Sequence, residues 1–370
     1  MSERARRLYR DAIVIDTHND LPTKMIDEGY DPDVRHPSSQ GHTDLPRLAE
    51  SGITAQFLAA WVDAPYAQRG PGASFTRAIR YIDAIHTFVD RHPGHLLFAT
   101  TAGDVRRAKR EGKVAILIGV EGGHAIENSL DNLRALHELG ARYLTLTWNN
   151  GNDWAGSSLG SGDTRTAGLT EFGRDVVREA NRLGMLVDVS HASDQTLADV
   201  LETSSVSVIA SHSSARALAD HRRNLHDHQL RAIAQQGGVV CVNFFARFID
   251  ARMRHAMDEA EARSAEPLHP ENDGEPPRST PAQRLAALLA RIPPTPLSVL
   301  IDHIDHIARV AGIDHVGLGS DFDGVPLTPA GMDDVTALPR IAQALIDRGY
   351  GDEDVTKVLG GNVVRLLETT

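Results

Sequence analysis

The sequence predicts a closed (β/α)8 barrel. Eight short runs of apolar and β-branched residues recur along the 370 residues, and segments with helical spacing separate them. Most runs end directly before polar or aromatic side chains, as expected where a barrel gathers its chemistry at the C-terminal ends of its strands. An open doubly wound sheet would concentrate such residues at one switch point, so their spread favours closure.

The predicted strands are, in chain order, residues 12–15, 53–61, 114–120, 143–147, 185–189, 206–210, 238–243 and 315–319. Apolar residues three or four positions apart predict helices between them, for example over 133–139, 172–183, 194–201 and 301–307. The residues that follow six of these strands are His18 with Asp20, Glu121, Trp148, His191, His212 and Asp321.

One interruption stands out in this alternation. Prolines and acidic residues crowd the stretch 264–282, which cannot form a regular helix or an inner strand. We therefore expect one barrel domain over residues 1–370 with a Pro-rich insertion around 255–297. The insertion follows the seventh strand and could cover the barrel mouth, although a plain surface loop is the favoured interpretation.

Composition excludes several classes of protein. There are 38 Lys and Arg residues against 50 Asp and Glu residues, a net charge of −12, so a nucleic-acid partner is not expected. Cys241 is the single cysteine, which rules out an intrachain disulfide. No apolar stretch approaches the roughly 20 residues of a transmembrane helix. The compartment stays open: cytoplasmic for the chain as it stands, periplasmic or secreted if a signal peptide has been removed.

The first polar pair suggests a metal site. His18 and Asp20 are two positions apart at the end of a strand, so their side chains point to the same side and could hold one ion. Alone this pair is weak evidence, because an Asp that caps a turn beside an exposed His is common.

Further candidate ligands follow other strands. They are Glu121, His191, His212 and Asp321. Any one of these could be an ordinary hydrogen-bonded residue at the edge of the core, but coincidence across five strand ends is less plausible. Three imidazoles and three carboxylates form a mixed N/O set that suits Zn²⁺, with Mn²⁺ or Co²⁺ able to substitute.

Six segments together resemble the renal (membrane) dipeptidase family of the amidohydrolase superfamily. They are residues 17–22, 119–122, 188–191, 211–216, 222–224 and 319–324. The resemblance covers nearly the whole chain and preserves the order of the motifs. It implies a dipeptidase with two divalent metal ions and a small dipeptide as its substrate.

The resemblance also implies a role for each ligand. His18 and Asp20 would bind one ion, His191 and His212 the other, and the Glu121 carboxylate would bridge both. A hydroxide shared by the two cations would be the nucleophile. Asp321 would complete the shell of the first ion, accept the proton of the nucleophile and deliver it to the departing amine.

Arg223 matches the arginine that faces the substrate carboxylate in the family, a task that suits a planar guanidinium. The alternative is a surface arginine paired with Asp220 or Asp227. Its neighbour Arg222 is the less favoured candidate.

The sequence departs from the family pattern at two positions. Trp148 stands where the family commonly has a His that stabilises the oxyanion, and Phe245 stands where relatives often have a Tyr. Oxyanion stabilisation would then fall to the indole N–H, to Asn149 or Asn150, to Arg223 or to a metal. Both changes make the expected pocket more apolar.

The expected reaction is hydrolysis of a dipeptide, including dipeptides with a C-terminal D-residue. The same scaffold could instead hydrolyse an N-acyl amino acid, a lactone or a cyclic amide, because fold and metals do not dictate the substrate. A non-catalytic, metal-stabilised binding protein is a third interpretation. A homodimer is also left open.

Overall fold

The computed structural model describes residues 1–265, 285 and 287–369. Nine parallel strands form one sheet. In chain order they are β1 (Ile15–Asp16), β2 (Ala55–Trp61), β3 (Leu96–Phe98), β4 (Val114–Glu121), β5 (Ala141–Thr145), β6 (Leu186–Asp188), β7 (Ile209–Ala210), β8 (Val239–Val242) and β9 (Val316–Leu318).

Eight of these strands close into the predicted barrel. Strand β1 pairs with β2 on one side and with β9 on the other, where Asp16 lies opposite Leu318. Strand β2 pairs along its whole length with β4, and the ring continues from β4 through β9. The predicted (β/α)8 barrel is therefore confirmed.

Strand β3 was not predicted. It pairs only with the start of β4, from Leu96 opposite Val114 to Phe98 opposite Ile116, and lies outside the ring. Its three residues are too few to show an alternating pattern, so no strand could be predicted there.

Helices surround the barrel. They are α1 (Glu3–Asp11), α2 (Leu21–Asp27), α3 (Leu45–Ser51), α4 (Ala73–Arg91), α5 (Ala102–Glu111), α6 (Leu130–Glu138), α7 (Glu171–Leu183), α8 (Asp194–Thr203), α9 (Asp227–Gln235), α10 (Ala246–Ile249), α11 (Ala251–Ala265), α12 (Leu297–Ala311), α13 (Pro339–Asp347), α14 (Asp352–Thr356) and α15 (Asn362–Leu367). A π-helical turn, Lys357–Gly361, joins the last two. Within the described residues, no helix has the length and apolar composition needed to cross a bilayer.

The prolines of the predicted insertion, Pro267, Pro270, Pro276, Pro277 and Pro281, lie outside the described residues. The described part of the interval 255–297 includes most of helix α11 and the residues that lead into α12. The expected domain limits stay a prediction.

The barrel is filled by side chains and is not an open pore. One buried cluster takes residues from seven of its eight strands, among them Phe57 on β2, Tyr143 on β5 and Cys241 on β8. The rings of Phe57 and Tyr143 stack with centroids 5.2 Å apart. This packing fixes Tyr143 directly beneath the C-terminal ends of the strands, where the candidate site lies.

Candidate active site

A cavity of about 510 Å³ opens at the C-terminal ends of the barrel strands. Most of the predicted site residues line it. Its walls are formed by Asp20, Thr23, Asp27, Glu28, Trp61, Glu121, Trp148, Asn149, His191, His212, Phe245, Phe248, Asp321, Asp323, Gly324 and Val325. The volume falls in the range of small-molecule sites.

Two of the predicted ligands have unusual backbone conformations. His191 and Asp321 have φ angles of 66° and 62°, in the left-handed region that non-glycine residues rarely adopt. Each follows a buried strand by three residues, so the surrounding structure holds these conformations in place. Backbone strain of this kind concentrates at functional sites.

Glu121 lies at the centre of the candidate site and ends β4. One carboxylate oxygen, Oε2, is 3.4 Å from His18 Nε2. The other, Oε1, is 2.9 Å from His191 Nε2 and 3.4 Å from His212 Nε2. Burial raises the pKa of Glu121, but the three imidazoles outweigh this effect and hold it well below its usual range. The carboxylate is therefore an anion whose two oxygens face different imidazoles.

The ligand atoms of His18, Asp20 and Asp321 lie within 4.8 Å of one another. Asn243 Nδ2 donates a 2.8 Å hydrogen bond to Asp321 Oδ2 and fixes that carboxylate. Burial raises the pKa of Asp321; His18 opposes this effect and the charges of Asp20 and Glu121 add to it, which brings the pKa to about 7. Three carboxylates thus meet in one buried space, an arrangement that requires a cation or a proton.

A second group of ligand atoms within 4.8 Å consists of His18, Glu121 and His212. It links the two predicted ion sites, because the resemblance assigned His18 to one ion and His212 to the other. The rings of these two histidines are 3.9 Å apart between centroids. The residues predicted for the two ions are therefore neighbours, and Glu121 lies between them.

His18 makes its side-chain hydrogen bond through Nδ1, which leaves Nε2 without one. Its Nδ1 lies 2.8 Å from the Tyr143 hydroxyl, which donates its proton to the Thr17 carbonyl at 3.2 Å. The hydroxyl must then accept from an Nδ1–H of His18, so Nε2 is the nitrogen left to face the candidate site. Burial lowers the pKa of His18, but Tyr143, Glu121 and Asp20 outweigh this effect and raise it well above its usual value. This buried Nε2 has no hydrogen-bond partner among the described residues. A buried ring nitrogen without a partner is costly unless a metal or a solvent molecule reaches it.

His191 and His212 also carry a proton on Nδ1. His191 Nδ1 lies 3.1 Å from Asn149 Oδ1, which can only accept. His212 Nδ1 lies 2.7 Å from Ser211 Oγ, whose proton is donated to Asp188 at 2.6 Å. Burial lowers the pKa of His191 to about 3 and that of His212 well below its usual value, so both rings are neutral. With Nδ1–H fixed, each neutral ring presents the lone pair of Nε2, and the two Nε2 atoms lie 3.0 Å apart, an arrangement suited to bind a metal.

Tyr143 reaches His18 only because position 119 is a glycine. A Cβ on Gly119 would fall inside the Tyr143 ring, far within van der Waals contact. We expect Gly119→Ala to destabilise the fold by about 1–3 kcal/mol through overpacking and to weaken metal binding by displacing the hydroxyl from His18. Denaturant unfolding and metal titration measure the two effects.

Gly103→Ala is the matched control for this substitution. Gly103 lies in helix α5, and its nearest neighbour, Thr101 Oγ1, would be 3.5 Å from the new Cβ. We expect no loss of stability there, because alanine favours a helix over glycine by roughly 1 kcal/mol. Equal destabilisation by both variants would contradict the role given to Gly119.

Arg223 is buried and is not among the residues that line the cavity. Its Nη2 donates a 3.1 Å hydrogen bond to the His212 carbonyl, and its Nε has no partner among the described residues. No ion pair with Asp220 or Asp227 is present in the described structure, which disfavours the surface-pair interpretation. Burial lowers the pKa of Arg223 to about 10, so it remains a cation at neutral pH.

The predicted substrate-binding residues do not all face the cavity. Trp148, Asn149 and Phe245 line it, whereas Asn150 turns aside and places its Nδ2 3.4 Å from His124 Nδ1. Trp148 packs edge-on against Trp61, with ring centroids 5.0 Å apart. Part of the cavity wall is therefore aromatic.

Several lining residues were missed by sequence reasoning. Trp61 ends β2 and could have been found by the same strand-end pattern that identified Glu121. Thr23 and Asp27 are one helical turn apart on α2, directly after Asp20, which is also a readable signal. Phe248 lies one turn beyond Phe245 and gave no separate signal.

A barrel whose mouth brings three imidazoles and several buried carboxylates together at one cavity defines a metal-dependent hydrolase. Oxygen and imidazole nitrogen donors fit a divalent cation of the zinc, manganese or cobalt type. The model of the membrane dipeptidase family, peptidase family M19, matches residues 2–370. The chain belongs to this family of metal-dependent dipeptidases.

Solved structures agree with this family. The probable dipeptidase PvdM from Pseudomonas aeruginosa is 27% identical, with a TM-score of 0.84, over 99% of this chain and 97% of that chain. The metallo peptidase named dipeptidase AC is 28% identical, with a TM-score of 0.77, over 97% and 98%. A metallo peptidase from Rhodobacter sphaeroides, liganded with a phosphinate mimic of L-Ala-D-Ala, is 28% identical, with a TM-score of 0.78, over 97% and 100%.

Proposed function

We propose that this protein hydrolyses dipeptides, including those with a C-terminal D-residue, at a centre of two divalent cations, with zinc as the first candidate. The observation that carries this proposal is the position of Glu121, whose two oxygens face His18 on one side and both His191 and His212 on the other. A carboxylate placed in this way suits a bridge between two cations.

The ligands divide into two sets around this bridge. His18, Asp20 and Asp321 would hold one cation, and His191 with His212 would hold the other. When bound, such cations lower the pKa of a water from 15.7 toward roughly 7, so that an attacking hydroxide is available at neutral pH. Asp321, held by Asn243, is the carboxylate that would take up a proton and return it to the leaving amine.

Arg223 would recognise the substrate carboxylate. It is a buried cation that lacks an ion pair among the described residues, and its Nε is unpaired. A buried charge of this kind is unfavourable until an anion reaches it. The mimic of L-Ala-D-Ala bound to the Rhodobacter sphaeroides relative supports a dipeptide, and a D-residue at its C-terminal position, as the substrate.

N-acyl amino acids are a second candidate substrate class. They would keep the carboxylate for Arg223 and replace the ammonium group by an apolar acyl chain. The aromatic wall formed by Trp61, Trp148, Phe245 and Phe248 favours this alternative.

A metal-replete activity screen over L–L dipeptides, L–D dipeptides and N-acyl amino acids tests the proposal. We expect dipeptide turnover that disappears after chelation and returns on addition of Zn²⁺, at two metal equivalents per chain. Turnover of N-acyl amino acids alone would favour the second candidate. Saturation at a single equivalent, or no turnover of any substrate by the loaded protein, would contradict the proposed centre.

Arg223→Met tests the carboxylate contact. A hydrogen bond to a charged group contributes about 1.5–3 kcal/mol, so we expect kcat/KM to fall by roughly 10- to 100-fold, mainly through KM. Steady-state kinetics on one dipeptide and on its C-terminal amide measure this effect, and the amide should be a poor substrate for both proteins.

The matched control is Arg222→Met, which removes the same charge from an exposed neighbouring position. Its kcat/KM should stay close to the wild-type value. A larger loss in the Arg222 variant than in the Arg223 variant would reverse the assignment of the two arginines.

A further inference from the structure

Two fully buried carboxylates outside the predicted ligand set, Asp16 and Asp188, have closely matching surroundings. Asp16 ends β1 and Asp188 ends β6. Each is 0% exposed, and neither forms an ion pair with a cation of the described structure. A buried carboxylate without such a partner must be stabilised by hydrogen bonds.

Asp16 receives hydrogen bonds from both ends of the first predicted ion site. Its Oδ1 accepts from the backbone N–H of Ser320 at 2.7 Å and from that of His18 at 3.4 Å. Its Oδ2 accepts from Ser320 Oγ at 2.6 Å and from Gln56 Nε2 at 3.0 Å. Ser320 directly precedes Asp321, so Asp16 connects the backbones that carry His18 and Asp321.

Asp188 makes the equivalent contacts at the second predicted site. Its Oδ1 accepts from the backbone N–H groups of Ser211 at 2.9 Å and Ser190 at 3.0 Å. Its Oδ2 accepts from Ser211 Oγ and from Thr145 Oγ1, both at 2.6 Å. Ser190 precedes His191 and Ser211 precedes His212, so one carboxylate again connects the backbones of two ligands.

We propose that Asp16 and Asp188 are positioning residues, each dedicated to the ligands of one cation. This inference rests on the two-cation centre proposed above. Asp16 sets His18 and Asp321 for one ion, and Asp188 sets His191 and His212 for the other. Asp188 also acts through Ser211, whose hydroxyl holds the Nδ1–H of His212.

The geometry explains why a carboxylate is needed at both positions. Each accepts four hydrogen bonds, and its two oxygens bind the N–H and the hydroxyl of the same serine. An asparagine has the same shape but only one acceptor oxygen, so its amide group would face a donor. The serine would then lose one of its two fixed contacts, and the ligand that follows it would be less strictly placed.

The experiment compares metal binding by the full-length wild-type protein, Asp16→Asn and Asp188→Asn, using Co²⁺ as the probe. Removal of partners outside the ligand set weakens metal binding by about 10- to 100-fold in other metal sites. We expect each variant to lose that factor for one equivalent and to keep the other equivalent at wild-type affinity.

The affected site is identified by the shifted proton signals of the imidazole N–H groups in the Co²⁺ form. The signal of His18 should change in Asp16→Asn, and those of His191 and His212 should change in Asp188→Asn. Unchanged affinity and unchanged signals in both variants, whatever their stability, would overturn the inference. A wild-type protein that binds fewer than two equivalents would instead overturn the proposed centre.

Two further substitutions keep the test decisive. Ser320→Ala and Ser211→Ala remove the hydroxyl and keep the backbone N–H contact to each carboxylate, and should reproduce the same site selectivity if the asparagine variants do not fold. Thr145→Val is the structural control, because Thr145 binds the same Asp188 oxygen but precedes no ligand. It should lower the unfolding temperature without changing Co²⁺ affinity, and an equal loss of affinity in this variant would contradict the inference.

Discussion

Substitution of Glu121 by glutamine is expected to abolish dipeptide hydrolysis and to leave the protein with one weakly bound metal ion or none. A glutamine amide offers one neutral oxygen where the carboxylate offers two charged ones, so it cannot serve both sides of the site. The loss of affinity should exceed the roughly 10- to 100-fold effect of removing an outer hydrogen-bond partner. Metal analysis after gel filtration, together with turnover, measures both consequences.

Glu138→Gln is the control, because it removes the same charge from an exposed residue at the end of α6. It should retain two equivalents and full turnover. A Glu121→Gln protein that kept two tightly bound ions would contradict the bridging role.

Asp321→Asn should separate metal binding from catalysis. The substitution keeps an oxygen that can contact a cation but removes the group that takes up and returns a proton. General acid–base catalysis contributes about 10²–10⁴-fold, so kcat should fall by that factor. Asp333→Asn, at an exposed position, is the control.

The Asp321 variant also decides between an enzyme and a binding protein. Metal retained with turnover lost supports an enzyme. If the wild-type protein and the variant both bind metal and neither turns over any substrate of the screen, the non-catalytic interpretation is favoured.

The candidate ligands at the strand ends could be predicted from the sequence, because a run of buried apolar residues gives way there to a polar or ionisable side chain. Glu121 follows seven buried strand residues, and His191 and His212 follow buried strands in the same way. The same reasoning placed Asp20 and Asp321 near them, and the structure brings all of these side chains to one cavity. This prediction works because the C-terminal ends of parallel strands in a barrel lie close together, so residues that follow them share one site.

Contacts that depend on side-chain direction could not be predicted. Asn149 and Asn150 are adjacent and chemically identical, yet only Asn149 faces the cavity. The depth of Arg223 and the hydroxyl of Tyr143 beside His18 arise from packing between strands that are far apart in the chain. The role of Asp16 could not be predicted either, because its partner Ser320 lies about 300 positions later in the chain.

The fixed Nδ1–H groups of the three histidines have a kinetic and an energetic consequence. Because Tyr143, Asn149 and Ser211 hold the Nδ1–H of each ring, an incoming cation meets Nε2 atoms that already point toward it. Little conformational entropy is then lost on coordination, and no ring has to flip first. A preorganised site of this kind should retain its cations tightly during purification and should load quickly when they are restored.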